Sequence, residues 1–343
     1  MKKSLLAVAV PALLAAQAQA VELYNDGVNS VSMGGYLAIQ LDDASGDAEI
    51  NDNSPRINFG FVNQLGNGYV LDAKLETSIN LVEGGESFKS RLGYIGIGHD
   101  DYGRVSVGKQ WSVYYDVALV TDYPYGFAAD HLGIYSFGKD GGESGLGRAD
   151  KALQYHNTLS LGNAGDLTLG LQWQGADNGL DDRMGGSLVY TIGEIRLGAA
   201  YYGGDVDGSF DASSSVQLAD GESLEATIVS ASYGTWGKGL YGAVAYMQGD
   251  NVEAGYRFEG ESEGFESMVS YGFENSTNLY GQYRFVKSDE VIAELGRKFD
   301  ESQLITGVGY NLSSNATVYG EYKFGLGDDN DDNAFAIGIR YYM

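Results

Sequence analysis

The strand pattern of this 343-residue chain is clearest at residues 69–80, which read Tyr-Val-Leu-Asp-Ala-Lys-Leu-Glu-Thr-Ser-Ile-Asn. Successive side chains of a β-strand point to opposite faces. One face of this segment would carry Leu71 and Leu75, and the other Asp72 and Glu76. The same alternation occurs at residues 56–62, 167–174, 194–202, 279–286, 316–324 and 335–342. No helical stripe of comparable length competes with it, so the pattern predicts an all-β protein.

A soluble β-sandwich and a transmembrane β-barrel both produce this alternation, with opposite faces turned to water. Two features favour the barrel. The segments are about ten residues long, which suits a tilted membrane span, whereas ordinary strands have about five or six residues. Aromatic residues stand at the segment ends, as in the girdles of barrel walls, at Tyr69, Trp173, Phe285, Phe324 and Tyr341.

The connections between segments alternate between short and long, which predicts periplasmic turns on one side and extracellular loops on the other. The short connections are 63–68, 99–103, 162–166, 192–194, 234–238, 274–277 and 311–315. The long connections are 42–54, 81–88, 112–148, 175–183, 203–221, 250–264, 287–301 and 326–332. Fifteen connections give a 16-stranded antiparallel transmembrane β-barrel. Residues 291–299 could form a seventeenth strand, but bacterial single-chain barrels have even strand numbers. Sixteen strands leave an open aqueous channel.

The first twenty residues predict export. Lys2 and Lys3 precede an apolar stretch at residues 5–16 and the small-residue cleavage pattern Ala18-Gln19-Ala20. This order is typical of a secretory signal peptide, and the apolar stretch is too short to span a bilayer. We therefore expect a signal peptide over residues 1–20 and a barrel domain over residues 21–343.

Composition excludes several functions. The formal net charge of −26 makes nucleic acid a poor partner, and the absence of cysteine excludes thiol chemistry and disulfides. Much of the acid lies in the long loops, at 42–52, 259–263 and 328–332. A solvated, mutually repelling rim is the simpler interpretation. The alternative is bridging of these carboxylates to lipopolysaccharide phosphates by divalent cations in the outer membrane.

Five segments resemble the general trimeric porins of Gram-negative bacterial outer membranes. They are Val-Glu-Leu-Tyr-Asn-Asp-Gly-Val-Asn-Ser-Val at 21–31, Ser-Arg-Leu-Gly-Tyr-Ile-Gly at 90–96 followed by Gly-Arg-Val-Ser-Val-Gly-Lys at 103–109, Thr-Asp-Tyr-Pro-Tyr-Gly-Phe-Ala-Ala-Asp at 121–130, and Ile-Gly-Ile-Arg-Tyr-Tyr at 337–342. The resemblance covers nearly the whole chain after residue 20. It implies a homotrimer in the outer membrane, whose third loop folds inward and narrows the channel.

In that family, acids on the third loop face arginines on the opposite wall. The resemblance places Arg56, Arg91 and Arg148 in the arginine cluster, and Asp122 and Asp130 on the loop. Strand alternation agrees for Arg56 and Arg148, whereas Arg91 shares a face with Ile95 and Ile97. Opposed charges across a narrow gap would orient polar solutes and disfavour apolar ones. Further lumen-lining residues predicted by alternation are Asp72, Lys74, Glu76, Arg196, Arg284, Glu321 and Lys323.

Three positions depart from the family pattern. Tyr36 stands where many members have a lumen lysine, and Tyr125 where the loop often has a glutamate, so both weaken the expected field. Met343 replaces the terminal phenylalanine that is read during barrel assembly, which bears on the interaction with the assembly machinery.

No constellation in the sequence predicts chemistry. His99, His131 and His156 lack metal-ligand spacing, and His156 with Ser160 or Thr158 is the only nearby pair that a hydrolase could use. We therefore expect no enzyme, no metal and no cofactor. The expected function is a water-filled diffusion porin for ions and small hydrophilic solutes, with a modest cation preference. The alternatives are a substrate-specific channel for a sugar or an anion, and a surface adhesin barrel.

Overall fold

The structure is a computed structural model. It describes residues 20–343 except 45, 85–86, 128–130, 136–141, 208, 214–215, 253–259, 290, 292–295 and 330, with only the backbone for the rest of 209–219. Its strands are β1 Val21–Asn25, β2 Asn29–Asp42, β3 Glu49–Asp52, β4 Arg56–Gly66, β5 Tyr69–Ile79, β6 Phe88–His99, β7 Gly103–Trp111, β8 Arg148–Ser160, β9 Asp166–Gln174, β10 Arg183–Ile192, β11 Ile195–Asp205, β12 Ser209–Ser213, β13 Val216–Ala219, β14 Ser223–Thr235, β15 Lys238–Asp250, β16 Glu261–Gly272, β17 Thr277–Ser288, β18 Asp300–Ser313, β19 Ala316–Gly325 and β20 Ala334–Tyr342.

These strands form one closed antiparallel barrel, with β12 and β13 as a separate hairpin in an extracellular loop. Both β3 and β4 pair with β2 and together make one interrupted barrel strand. Similarly, β20 and β1 follow one another along β2, since Tyr342 pairs with Tyr36 and Val21 pairs with Met33. The two ends of the barrel domain therefore complete a single strand. The prediction of sixteen barrel strands is confirmed in the described part of the chain.

The barrel wall has the polarity of a membrane protein. Large apolar side chains face outward and are exposed, for example Val269 at 61% and Ile337 at 58%. Polar side chains on the other face are buried, including Gln174, Glu266 and Gln282. A soluble sandwich would reverse this arrangement, whereas an apolar outer band and a polar interior are typical of transmembrane barrels. In the described residues, no helix is long and apolar enough to cross a membrane.

The predicted alternation of short turns and long loops is also observed. Residue 291 and residues 296–299 lie in no strand, and residues 292–295 are outside the described residues. Both ends of the segment that could have been a seventeenth strand therefore belong to the connection between β17 and β18.

The third extracellular loop, residues 112–147, folds into the barrel. It begins with the short helix α1, Tyr115–Ala118, and a 3-10 turn at Leu119–Thr121. Its apolar side chains pack on the inner wall of β10, β11 and β14 to β16 and form the largest buried cluster of the described residues. The cluster includes Val117, Val120 and Leu132 of the loop with Ala200, Ile228 and Met247 of the wall. The inward fold that the resemblance implied is thus present.

Candidate functional site: the narrowed lumen

The tip of loop 3 is held by one wall carboxylate. Glu321 of β19 accepts the backbone N–H groups of Tyr125, Gly126 and Phe127, the last two at 2.9 Å, and the hydroxyl of Tyr280. Asn53 adds a hydrogen bond of 2.7 Å from its side-chain nitrogen to the carbonyl of Tyr125. Backbone groups that leave a regular ladder need other partners when buried. Glu321 provides them, so this predicted lumen residue lies on the inner face but beneath the loop.

A second wall carboxylate holds the middle of the loop. Glu266 of β16 is fully buried and accepts the Thr121 hydroxyl and, at 3.2 Å, the His131 N–H. Gln282 donates to the Thr121 carbonyl at 2.8 Å. The backbones approach closely here, because a Cβ on Gly264 would overlap the carbonyl oxygen of His131. Loop 3 is therefore fixed at two separate sites on the wall.

The helix α1 is held on the same inner wall. The Asp116 carboxylate lies 2.9 Å from Nε2 of His156 and accepts the Ser187 hydroxyl at 3.1 Å. Arg196, predicted to line the lumen, donates to the Asp116 carbonyl oxygen. His156 thus contacts a loop carboxylate and not the Ser160 or Thr158 hydroxyl that a hydrolase would require.

Three cations surround one carboxylate on the inner wall of β4 to β6. Glu76 lies 3.0 Å from Nε of Arg91, 3.7 Å from Nζ of Lys74 and 3.9 Å from a terminal nitrogen of Arg56. Arg56 and Arg91 also share the hydroxyl of Ser54 as an acceptor, at 2.8 and 3.4 Å. The structure therefore brings Arg56, Arg91, Lys74 and Glu76 into one cluster, which we call the wall cation cluster.

Arg91 reaches this cluster because of a β-bulge. Glu76 pairs with Leu92, but the next residue, Thr77, pairs with Ser90, which leaves Arg91 as the extra residue of β6. A bulge reverses the alternation of a strand on one side of it. Ile95 accordingly faces outward and is 57% exposed. The strand pattern placed Arg91 with Ile95, and the bulge explains why its side chain nonetheless faces inward.

Tyr36 and Tyr125, the two departures from the family pattern, flank an arginine that the sequence reasoning missed. The guanidinium carbon of Arg340 lies 4.3 Å from the ring centre of Tyr36 and 5.2 Å from that of Tyr125. Arg56 lies 4.6 Å from the Tyr36 ring, and the Tyr125 ring stacks on Tyr319 with centres 5.0 Å apart. The result is a stack of alternating arginine and aromatic side chains from the wall cation cluster to loop 3.

The remaining predicted constriction residues lie in different surroundings. Arg148 is buried with its guanidinium carbon 5.0 Å from the Trp111 ring. Asp122 accepts the hydroxyls of Tyr115 at 2.7 Å and Tyr135 at 3.2 Å. Asp130 lies outside the described residues.

Three of the predicted lumen residues have local partners. Asp72 accepts two hydrogen bonds from Arg104, at 2.6 and 2.9 Å. Arg284 is buried and donates to Gln303 at 2.6 and 2.9 Å. Nζ of Lys323 lies 5.8 Å from the centre of the Phe127 ring. Arg284 therefore supports the wall beneath the loop and does not line open water.

An aromatic cluster below the loop tip was also not predicted. Trp236 lies in the short turn between β14 and β15, and its ring stacks on Tyr123 of loop 3 with centres 4.8 Å apart. Tyr241 and Tyr280 meet the same indole at 6.3 and 5.1 Å. A turn residue has no strand alternation to indicate its direction, so the sequence carried no signal for this contact.

Acid is expected to weaken the docking of loop 3. Burial lowers the pKa of His131 to about 4, Arg284 adds to this shift, and Glu301, 3.3 Å from Nε2, opposes it. Below the ordinary histidine pKa of 6.5, an undocked loop binds a proton that the docked loop excludes. The contribution of His131 to the stability of the docked state therefore falls as the pH falls from 6.5 to about 4, by up to about 3 kcal/mol at the acid end.

Single-channel recordings should show transitions between current levels that become more frequent as the pH falls through this range. His131→Gln should flatten the pH dependence, and His99→Gln, at the end of β6, should leave it unchanged. An identical pH profile for wild type and His131→Gln would contradict the assignment.

Comparison with known proteins agrees with this architecture. The model of a family described as Gram-negative porin matches residues 5–341. Outer membrane protein F of Serratia marcescens is 32% identical over 59% of this chain and 56% of its own length, so the match spans just over half of that relative.

Two solved structures share the fold. OmpF of Salmonella typhi, in complex with daunomycin, has a TM-score of 0.78 at 22% identity, covering 94% of this chain and 100% of that one. OmpT of Vibrio cholerae, in a trimer form, has a TM-score of 0.69 at 20% identity, covering 92% and 100%. The family model spans nearly the whole sequence, and the barrel architecture is the same. This chain therefore belongs to the Gram-negative porin family and is an outer-membrane β-barrel protein.

Proposed function

We propose that this protein is a diffusion porin for ions and small hydrophilic solutes. The observation that carries the proposal is the solvent access of the wall cation cluster. The side chains of Arg56, Lys74 and Arg91 lie on the inner wall, yet they keep 18%, 11% and 11% of their surface exposed. Loop 3 covers the opposite wall, so the proposed water-filled path runs between them. Sixteen-stranded barrels are wide enough for such a path.

The narrowest part of this path is set by side chains of both walls. Arg56 and Arg91 supply positive charge from the wall, Asp122 supplies negative charge from loop 3, and the buried Arg148 stays a prediction for the same constriction. Tyr36 and Tyr125 occupy positions where charge would strengthen the field, so we expect a weaker transverse field with a narrower, more aromatic opening. Asp130 stays a prediction for the same loop. The rim acids favour cations and the wall cation cluster opposes them, which leaves a modest cation preference.

Liposome swelling with uncharged sugars tests the proposal without relying on charge. Liposomes that contain the protein should swell quickly in a monosaccharide, more slowly in a disaccharide and scarcely in a tetrasaccharide. Protein-free liposomes are the control for leakage. Equal rates with and without protein for the monosaccharide would refute diffusion through the barrel.

Assembly and export follow from the same proposal. OmpT of Vibrio cholerae has been solved in a trimer form, and we propose a homotrimer for this chain. We also propose that residues 1–20 are removed as a signal peptide and that the barrel assembly machinery accepts Met343 in place of a terminal phenylalanine. Contact of the acidic loops with lipopolysaccharide through divalent cations belongs to the same set of proposals.

A substrate-specific channel is the second candidate, and the arginine and aromatic stack favours it. General diffusion needs only water and scattered charge, whereas a stack of rings with an arginine provides surfaces that distinguish one solute from another. A saturable block of the current by a single solute class would separate the two candidates.

A further inference from the structure

We propose that Arg340, Tyr36 and Tyr125 form a binding site for aromatic carboxylates inside the channel. This inference rests on the proposed diffusion function, because a solute must enter the lumen to reach these side chains. It adds a solute class that simple diffusion does not require.

The geometry supplies a fixed arginine. Its guanidinium carbon is 4.3 Å from the ring centre of Tyr36 and 5.2 Å from that of Tyr125, so both aromatic neighbours lie within cation–π distance. Tyr36 is also held from its other neighbours, by Arg56 at 4.6 Å and by an edge contact with Tyr342. The rings and the cation therefore hold one another in a defined orientation.

Loop 3 fixes the position of Tyr125 on the other side of this site. The Tyr125 ring stacks on Tyr319 at an interplanar angle of 16°, and its backbone N–H donates to Glu321. A ring on an unattached loop would move relative to Arg340. Here the same hydrogen bonds that dock the loop tip fix the position of the aromatic surface.

The charge of Arg340 has no acidic partner in the described part of the chain. Arg56, Lys74 and Arg91 share Glu76, and Arg104 has Asp72, but no carboxylate of the described residues lies within ion-pair distance of Arg340. Its Nε is buried and has no hydrogen-bond partner, whereas the side chain as a whole stays partly exposed. The side chain also hydrogen-bonds Tyr342, and we assign the rest of its guanidinium group to a solute anion.

These features match one solute chemistry. A carboxylate accepts two parallel hydrogen bonds from a guanidinium group, and an aromatic ring attached to it can pack against the edge of a tyrosine ring. A neutral sugar lacks the charge, and an inorganic anion lacks the ring. An aromatic carboxylate can pair with the guanidinium group and pack against a tyrosine ring at once. Binding must stay weak enough for release on the far side, as in any conducting site.

Current block in planar bilayers tests the proposal with three probes. Benzoate carries both ring and charge, cyclohexanecarboxylate carries the charge without an aromatic ring, and benzyl alcohol carries the ring without the charge. We expect saturable block by benzoate at concentrations where the other two probes have little effect. Benzoate and cyclohexanecarboxylate blocking equally would overturn the role of the tyrosine rings.

Variants of Arg340 test the cation. Arg340→Gln should weaken benzoate block by roughly tenfold or more, the usual effect of losing a charge-assisted hydrogen bond. Arg340→Lys keeps the charge, but benzoate block should be weakened by several-fold, because the planar pair of donors is lost. Arg297→Gln, an exposed loop arginine paired with Asp329 at 2.5 Å, is the matched control and should bind as wild type.

The outcomes separate this inference from the diffusion function. A wild-type channel that conducts but shows no selective benzoate block overturns the proposed binding site alone. Unchanged block in Arg340→Gln overturns it as well, and block in Arg340→Lys equal to wild type overturns recognition by the guanidinium. A wild-type protein that does not conduct at all overturns the diffusion function on which the inference rests.

Discussion

Replacing Glu321 by glutamine is expected to release the tip of loop 3 from the barrel wall and to make the open-channel current unstable. The carboxylate accepts three backbone N–H groups and the Tyr280 hydroxyl. A glutamine amide has a single acceptor oxygen, and its NH₂ group would face donors. The loss of a buried, charged acceptor should cost roughly 3–5 kcal/mol of loop docking.

Single-channel recordings of Glu321→Gln should show a larger mean conductance with frequent transitions between levels. Hydrogen exchange of the backbone around Tyr125 should become faster. Glu263→Gln is the matched control, because among the described residues Glu263 accepts a single side-chain hydrogen bond, from the Tyr246 hydroxyl at 2.9 Å, near the extracellular end of the wall. A steady, wild-type current in Glu321→Gln would show that the hydrogen bonds to Glu321 do not hold the loop in place.

Replacing Glu76 by glutamine is expected to shift ion selectivity towards anions. Glu76 is the one carboxylate within ion-pair distance of Arg56, Lys74 and Arg91 among the described residues. Its removal leaves three neighbouring cations without a counter-charge at the inner wall. Removal of one unit charge in partly screened water should raise the chloride-to-potassium permeability ratio by about two- to fivefold.

The reversal potential under a salt gradient measures this shift directly. Asp72→Asn is the matched control, since Asp72 pairs with Arg104 in a separate ion pair, outside the wall cation cluster. Its effect on selectivity should be clearly smaller than that of Glu76→Gln. Equal shifts in the two variants would mean that the cluster around Glu76 does not set the selectivity.

Strand alternation was sufficient to predict the barrel because most barrel strands keep one face turned to the lumen along their length. Leu75 faces outward and Glu76 inward, as the pattern at residues 69–80 predicted. The side that a residue faces, however, does not reveal what lies opposite it. Glu321 and Arg284 were predicted on the inner face, but loop 3 covers them, and the sequence does not show which wall residues a folded loop will meet.

Local breaks in regularity account for the rest. The bulge at Arg91 reverses the strand alternation, and a single extra residue in a ladder leaves no mark in the pattern of apolar residues. Arg340 alternates correctly with Ile339 and Tyr341, so its inward direction was visible in the sequence. Its importance was not visible, because its partners Tyr36 and Tyr125 come from the first long strand and from loop 3.

The single-channel conductance of the purified wild-type protein in a planar bilayer tests the central claim most directly. The structure predicts a stable, ohmic open state, because the wall cation cluster keeps solvent access beside a docked loop 3. A trimer should insert as one unit and close in three equal conductance steps. A folded protein that inserts into the bilayer but carries no current would contradict the claim that this barrel is an open diffusion channel.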